Sequence, residues 1–405
     1  MDILYLTNGF PYPLTSGYLR HYYLIKELSH SHKVTLLSVV GPGFLPEHGA
    51  ALAPYTERLL TFAATGRGGK RPGKIARRLR ALAQPGQAVQ AMRQSVAQLA
   101  PEAHFDVVIS GKRTLAALEP VKHLSLVADM CDATSSRIRR SVPYADPLRL
   151  PLLWLEYLQM RRTEQSFMRQ ADHSLFISSR DREDLGAKGP GTSIVPNGVE
   201  LEFWRRQSAR RGRHTIIFTG AMDYRPNTDA ALYLIEEILP LVQREVQEAQ
   251  LLVVGRDPAP PLVAAGRRPG VTVTGFVEDV RPYLEQATVF AAPLRFGAGL
   301  QNKVLEAMAM EVPVVASPLA ADGLRTEEGE QPPIHIVEGA TSFSAALIRK
   351  LKEDNLAPDS KARRFIERNF VWSYSGNKLN HILEHVVNSR RHSDPTSTTT
   401  AARSY

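Results

Sequence analysis

The residues Pro293–Ser317, PLRFGAGLQNKVLEAMAMEVPVVAS, come nearest to declaring a chemistry. They read as a strand end, a glycine loop, a helix and another strand. Gly297 and Gly299 let the backbone approach a ligand and take up positive φ. A helix starting at Gln301 or Asn302, just after Leu300, would aim its free N–H groups and about half a unit of positive charge at that loop. An anion such as a diphosphate is favoured there. Lys303 adds a full positive charge, and Glu306 falls on the same face three residues later. A carboxylate beside a phosphate site makes sense if it accepts hydrogen bonds from ribose hydroxyls. The plain alternative is an i,i+3 ion pair. Asn302 stands where the dinucleotide pattern G-x-G-x-x-G needs its third glycine, which argues against a nicotinamide enzyme.

Three further loops carry candidate groups. In TNGFPYPLTSGYLRHYYLIKEL, Gly17 sits at the expected start of the first helix, with Ser16 as its cap. Arg20 and His21 follow in its first turns; His21 is either a proton carrier or a structural histidine. In FTGAMDYRPNTDAAL a strand ends at Gly220. Arg225 and Asn227 then precede a helix that Asn227 or Thr228 could cap, and the Arg225 guanidinium is suited to clamping a phosphate. A surface turn is the alternative. In VTVTGFVEDVRPYL, Gly275, Phe276 and Val277 end a strand where main-chain groups could meet a base edge. Asp129 and Asp132, at another strand end, are candidates for acceptor contact or buried caps.

These loops need elements to hold them. Apolar, β-branched runs alternate with amphipathic stretches: Ile3–Leu6, Val34–Val40, Asp106–Ser110, Ser125–Cys131, Ser174–Ile177 and Ser193–Val195, then Thr215–Thr219, Leu251–Gly255, Val271–Val277, Val289–Pro293 and Val312–Ser317. Such alternation indicates parallel sheets covered on both faces. The fold class expected is α/β, two doubly wound Rossmann-like domains facing across a cleft. The first spans residues 1–198, a polar linker 199–213, and the second 214–372. A helix over 373–388 should dock on the body. Residues 389–405, rich in Ser and Thr, should be a disordered tail. The chain of 405 residues, 43% hydrophobic and 22% charged, has material for two full cores.

Its single cysteine, Cys131, forbids an internal disulfide and a cysteine-rich metal site. No D-x-D stands at a strand end and no His/Cys cluster has metal-ligand spacing. The opening MDILYLTNGF reads as a buried strand, and no run approaches the ~20 apolar residues that cross a bilayer. A cytoplasmic, at most membrane-peripheral, protein is expected. Residues 1–198 carry 25 Lys and Arg against 16 Asp and Glu, whereas residues 199–405 carry 25 of each. The whole net charge of +9 therefore lies in the first half. It is densest in RGGKRPGKIARRLR, residues 67–80, with seven basic and no acidic side chains. Anionic lipid or an anionic substrate would suit it, or it is a solvated basic face. Nucleic acid is not expected, because few aromatics interleave with the charges.

Pro11-Tyr12-Pro13, Val195-Pro196-Asn197-Gly198-Val199, Phe218-Thr219-Gly220, Gly275-Phe276-Val277 and Gly297 through Pro313 together resemble the family-4 retaining glycosyltransferases of the GT-B fold. These take a sugar from a nucleotide-diphosphate donor and need no metal. The resemblance implies that Glu306 holds the donor ribose, that Gly299 and Leu300 lie in the diphosphate loop, and that Val277 and its neighbours bind the base. It also implies that Gly17 faces the diphosphate and acceptor. Arg225 and Lys303 would stabilise the leaving group. The chain departs from the family at Ala298, where a glutamate usually contacts the transferred sugar. It departs again at Ala221 and Asn227, in place of a basic pair, and at Cys131-Asp132, in place of a histidine. A nucleotide-sugar 2-epimerase and a non-catalytic sugar-nucleotide-binding protein are the competing readings.

Overall fold

A computed structural model describes residues 1–14, 18–64, 86–208, 212–297, 299–354 and 356–393. Gly17, Ala298, the basic segment 67–80 and residues 394–405 of the expected tail lie outside the described residues.

Thirteen strands are described, all in parallel pairs. The first sheet contains β1 Asp2–Thr7, β2 Lys33–Val40, β3 Arg58–Ala63, β4 Val107–Gly111, β5 Ser125–Cys131, β6 His173–Phe176 and β7 Thr192–Ile194. Its order is β3-β2-β1-β4-β5-β6-β7. The second contains β8 Thr215–Thr219, β9 Gln250–Val254, β10 Val271–Val273, β11 Val289–Ala292, β12 Val314–Ala316 and β13 His335–Ile336, ordered β10-β9-β8-β11-β12-β13. Both are doubly wound, with strand order reversing at β1/β4 and β8/β11. Ligands of such sheets bind beyond the carboxyl ends at that reversal.

The central strands bury both faces, so their sequences are apolar without a break. Two edge strands, β3 and β13, are absent from the expected list. β3 alternates between half-buried and exposed positions, and β13 has two residues. Neither carries the continuous apolar run of a central strand, because an edge faces solvent.

Two chain segments cross side by side between the lobes. Val199 bridges Val371, and a Cβ at Gly198 would stand 2.4 Å from the Trp372 nitrogen, so only glycine allows the crossing. After it, the helix Trp372–Ser393 returns to the N-terminal lobe. Leu379, Ile382, Leu383, Val386 and Val387 complete the core around Leu24, Ile25 and Leu28. Each buried leucine there contributes about 1.5–3 kcal/mol. The helix runs past the expected boundary at 388, with Arg390 paired to Asp172 at 3.3 Å. Residues 389–393 are thus helical.

Candidate active site

β8 ends at Thr219, and Gly220 turns the chain with φ +151°. A Cβ there would lie 2.6 Å from Asn227 Nδ2 and 3.4 Å from Lys303 Nζ. Glycine therefore lets both side chains close over the loop. Asn227 is buried in the first turn of the helix Arg225–Tyr233, and its Nδ2 donates to the Ala221 carbonyl at 2.9 Å. Its Oδ1 accepts from Lys303 Nζ, which also lies 5.0 Å from the Phe218 ring centre. Lys303 stands in the first turn of the helix Asn302–Ala309, whose N-cap, Gln301, makes no side-chain cap bond. The main-chain donors of that turn and the ammonium thus share one end of the helix.

Burial holds the Lys303 ammonium down at about pKa 8 and pushes Glu306 up to about 7, each offset by the attraction of the other. Among the described residues no ion pair joins them; Asn227 holds the ammonium instead. Both charges are costly where they stand. A diphosphate would favour the charged lysine, and hydroxyl donors would favour the ionised glutamate.

The N-terminal wall is different. Arg20 is buried: its Nε donates to Asp129 Oδ2 at 2.9 Å, and its Nη1 donates to the Val195 carbonyl at 2.8 Å and Asn197 Oδ1 at 3.1 Å. Arg20 lowers the Asp129 pKa against the effect of burial. Arg20 and Asp129 thus engage each other inside the lobe rather than standing free for an acceptor. Asn197 Nδ2 donates in turn to Asn302 Oδ1 at 3.0 Å, tying this network to the head of the Lys303 helix. His21 Nδ1 meets Tyr5 Oη at 3.0 Å; burial lowers its pKa to about 4, so the ring is neutral at pH 7.

A bulge between Asp129 and Cys131, with Cys131 at φ 52°, turns the end of β5. Asp132 then lies against the glycine loop of the other lobe. A Cβ at Gly299, where φ is +77°, would stand 2.2 Å from Asp132 Oδ1. Burial raises the Asp132 pKa, with Arg137 and Lys112 opposing. Lys112 Nζ bonds both the Asp132 carbonyl and Glu164 Oε1 at 3.0 Å. Glu164, wholly buried, also accepts from the Thr134 amide at 2.8 Å and so caps the helix Thr134–Ser141.

Arg225 lies at the rim. It is exposed, donates to the Tyr144 carbonyl, and its guanidinium carbon is 5.8 Å from the Phe296 ring centre. Tyr144 stacks on Phe296 with ring centres 4.9 Å apart, and Arg140 Nη1 reaches the Gly297 carbonyl at 3.4 Å. Its hydrogen bond thus joins Arg225 to the opposite lobe and not to Asn227 or Lys303. Gly275 (φ +72°), Phe276, which is 67% exposed, and the half-buried Val277 follow β10, two strands from β8 and on the order of 10 Å away. Leu300 is buried and Gln301 half-buried beside the helix head.

The fold therefore unites Gly220, Asn227, Asn302, Lys303 and Glu306, and sets Gly299 against Asp132. Sequence reasoning missed the rim residue Tyr144, the bridge from Asn197 to Asn302, and Tyr23, which stacks on Trp372 and feels the Glu306 charge. Their partners lie far along the chain, and no local pattern points to them. Among the described residues no group of three or more His, Cys, Asp or Glu could hold a metal ion, and no helix is long and apolar enough to cross a membrane.

Residues 213–353 match the family described as glycosyl transferases group 1. The phosphatidyl-myo-inositol mannosyltransferase of Mycobacterium leprae is 27% identical over 222 residues, 51% of this chain and 57% of that protein. The chain thus spans little more than half the length of this curated relative. The lipopolysaccharide core biosynthesis mannosyltransferase LpcC of Rhizobium leguminosarum is 24% identical, over 60% of this chain and 73% of its own. Among solved structures, Anabaena Alr3699/HepE in complex with UDP superimposes with a TM-score of 0.63 at 14% identity, covering 95% of this chain and all of that one. That likeness shows the fold, two Rossmann-like domains of the GT-B kind.

Proposed function

We propose that this protein transfers a glycosyl group, with retention at the anomeric carbon, from a nucleoside-diphosphate sugar to an acceptor hydroxyl. The observation that carries the reading is the constellation at the β8 and β11 ends. There an ammonium is held by Asn227 over a glycine turn, at a helix head without a side-chain cap, with a half-buried carboxylate one turn on. The match of residues 213–353 to group 1 glycosyl transferases supports it.

As the sugar–phosphate bond breaks, the leaving diphosphate gathers negative charge. Lys303 and the amides of the Asn302–Ala309 helix would stabilise that charge most in the transition state. They supply positive charge without a metal ion. Glu306 would accept hydrogen bonds from the ribose. Gly275, Phe276 and Val277 would meet the base, at the distance a diphosphate and a ribose bridge. Gly297 and Gly299 would line the diphosphate. Arg225 would assist the leaving group only after giving up Tyr144, so its part belongs to a rearranged rim. Asp132 and His21 would form the acceptor wall, with Arg20 and Asp129 holding it in shape. The leaving phosphate would take the acceptor proton, which suits a site whose histidine is neutral and whose aspartate is held at the interface.

The curated relatives are named for mannosyl transfer to a phosphatidylinositol and in lipopolysaccharide core assembly. A lipid-linked or saccharide acceptor, met in the cytoplasm at a membrane surface, follows by analogy. Thermal-shift screening with UDP, GDP, ADP and TDP tests the donor reading, because a ligand stabilises as ln(1 + [L]/Kd). One base should stand out, and its sugar nucleotides should release free diphosphate only with acceptor. No stabilisation by any of the four would refute the proposal.

A further inference from the structure

The helix Leu150–Gln170 of the N-terminal lobe buries only Glu164 and Phe167. Its outer side is apolar where solvent would call for polar groups. Trp154 is 45% exposed, Leu155 49% and Leu158 50%, and Leu148, in the turn before the helix, is 90% exposed. At the helical spacing, Pro151, Trp154, Leu155 and Leu158 share one strip about 100° wide. The same strip continues through the exposed Arg162 and Arg169. The acids of this helix, Glu156 and Glu164, fall on the opposite side. Arg149, at the start of the strip, is exposed as well, and beside it the exposed Asp146 caps the turn Pro147–Arg149 by accepting from the Leu148 amide. Single exposed leucines are ordinary, whereas an apolar helical strip continued by arginines, with its one neighbouring acid held by the Leu148 amide, is not.

We propose that this strip, Leu148 to Leu158 with Arg149, Arg162 and Arg169, docks the N-terminal lobe on an anionic lipid bilayer. The charge pattern selects that occupant. Leucine and tryptophan side chains enter the interface to a depth of about 5–10 Å, and arginines extend to the phosphate level. Anionic lipid attracts the basic residues within a Debye length, on the order of 10 Å. A twofold pairing of two copies centred on the leucines would lay apolar side chains on each other but leave Arg162 and Arg169 without acids on this helix face to meet them.

The position gives the docking a purpose. Leu148 lies four residues beyond Tyr144, which stacks on Phe296 at the rim of the cleft. A bilayer on the strip would meet the cleft mouth, where a lipid-anchored acceptor could enter. This purpose rests on the transferase reading; the docking itself does not.

The test is flotation of the full-length protein with vesicles of phosphatidylcholine alone and with about 30% phosphatidylglycerol. The wild type should float only with the anionic vesicles, and Trp154 emission should shift to the blue. The change Leu148→Ser/Leu155→Ser/Leu158→Ser touches exposed side chains alone. It should lower the partition coefficient at least tenfold while leaving the melting temperature and the nucleotide-induced shift unchanged. Trp154→Phe should remove the blue shift and keep most of the binding. Three outcomes would overturn the proposal. The wild type could ignore anionic vesicles. The triple variant could bind them as well as wild type, with binding lost only on neutralising residues 67–80. Light scattering could show a dimer that the triple change dissolves. Since nucleotide binding is read separately, docking can fail while the transferase reading stands, and the reverse.

Discussion

At the scale of single residues, Lys303 and Glu306 make the sharpest claims. With a pKa near 8, Lys303 is mostly charged at pH 7 and loses its proton just above. Nucleoside diphosphate affinity, measured by calorimetry, should fall as pH rises through 8, approaching tenfold per unit. Lys303→Met should weaken binding and remove that dependence; an unchanged pH profile in the variant would dissociate Lys303 from the ligand. Glu306 has the opposite sign. Its folded pKa, about 7, is raised above the unfolded value of 4.5. Its contribution to stability is therefore full below pH 4.5 and lost as pH rises toward 7. Glu306→Gln should raise the melting temperature relative to wild type at pH 7.5 but not at pH 4.5. It should also weaken the nucleoside diphosphate about 10- to 100-fold, the worth of hydrogen bonds to a charged acceptor. Arg20 has a structural role. Arg20→Met would leave Asp129 buried without its partner and should cost about 3–5 kcal/mol in denaturant unfolding. A loss confined to turnover, with stability intact, would return Arg20 to the acceptor.

At the scale of elements, the glycine loop between β11 and the Asn302–Ala309 helix is shaped by both lobes. Gly299 has φ +77°, and its missing side chain is what lets Asp132 come near. Gly299→Ala combines backbone strain of about 1–3 kcal/mol with a clash against Asp132. Urea unfolding should show a loss of that order, and sugar-nucleotide turnover should fall. Asp132→Ala in the same background should recover part of the stability, because the clash leaves while the strain stays. No recovery would place the whole cost in the backbone.

At the scale of the whole molecule, the lobes meet at a hinge and at a rim. The hinge is the paired crossing at Gly198 and Val371, tied by Ser375 Oγ donating to the Pro196 carbonyl at 2.7 Å. The rim is the stack of Tyr144 on Phe296 with Arg225 bonded across it. Arg180 and Asp322 form a further bridge at 2.9 Å between the lobes. Tyr144→Ala removes the stack but no core group. Small-angle scattering should show a larger radius of gyration without ligand, and the melting temperature should move little. An unchanged radius would mean that the rim does not hold the lobes together.

The central strands, the two lobes and the loop from Gly297 to Glu306 were legible in the sequence. Buried parallel strands must be apolar throughout, and a helix head with glycine, lysine and glutamate at fixed offsets is a local pattern. The edge strands β3 and β13 were not legible, because half-solvated or two-residue strands carry no such run. Nor were the partners of the candidate residues. Arg20 and Asp129 have the same identities whether they face a ligand or each other; 109 residues separate them, and only the folded chain brings the head of the Leu19–Ser29 helix to Asp129 on β5. Arg225 likewise reads as a phosphate clamp in sequence and stands at the rim in three dimensions. Amino-acid type and local spacing fix which chemistry a side chain is capable of. Which neighbour uses it depends on contacts between distant segments, and these exist only once the chain has folded.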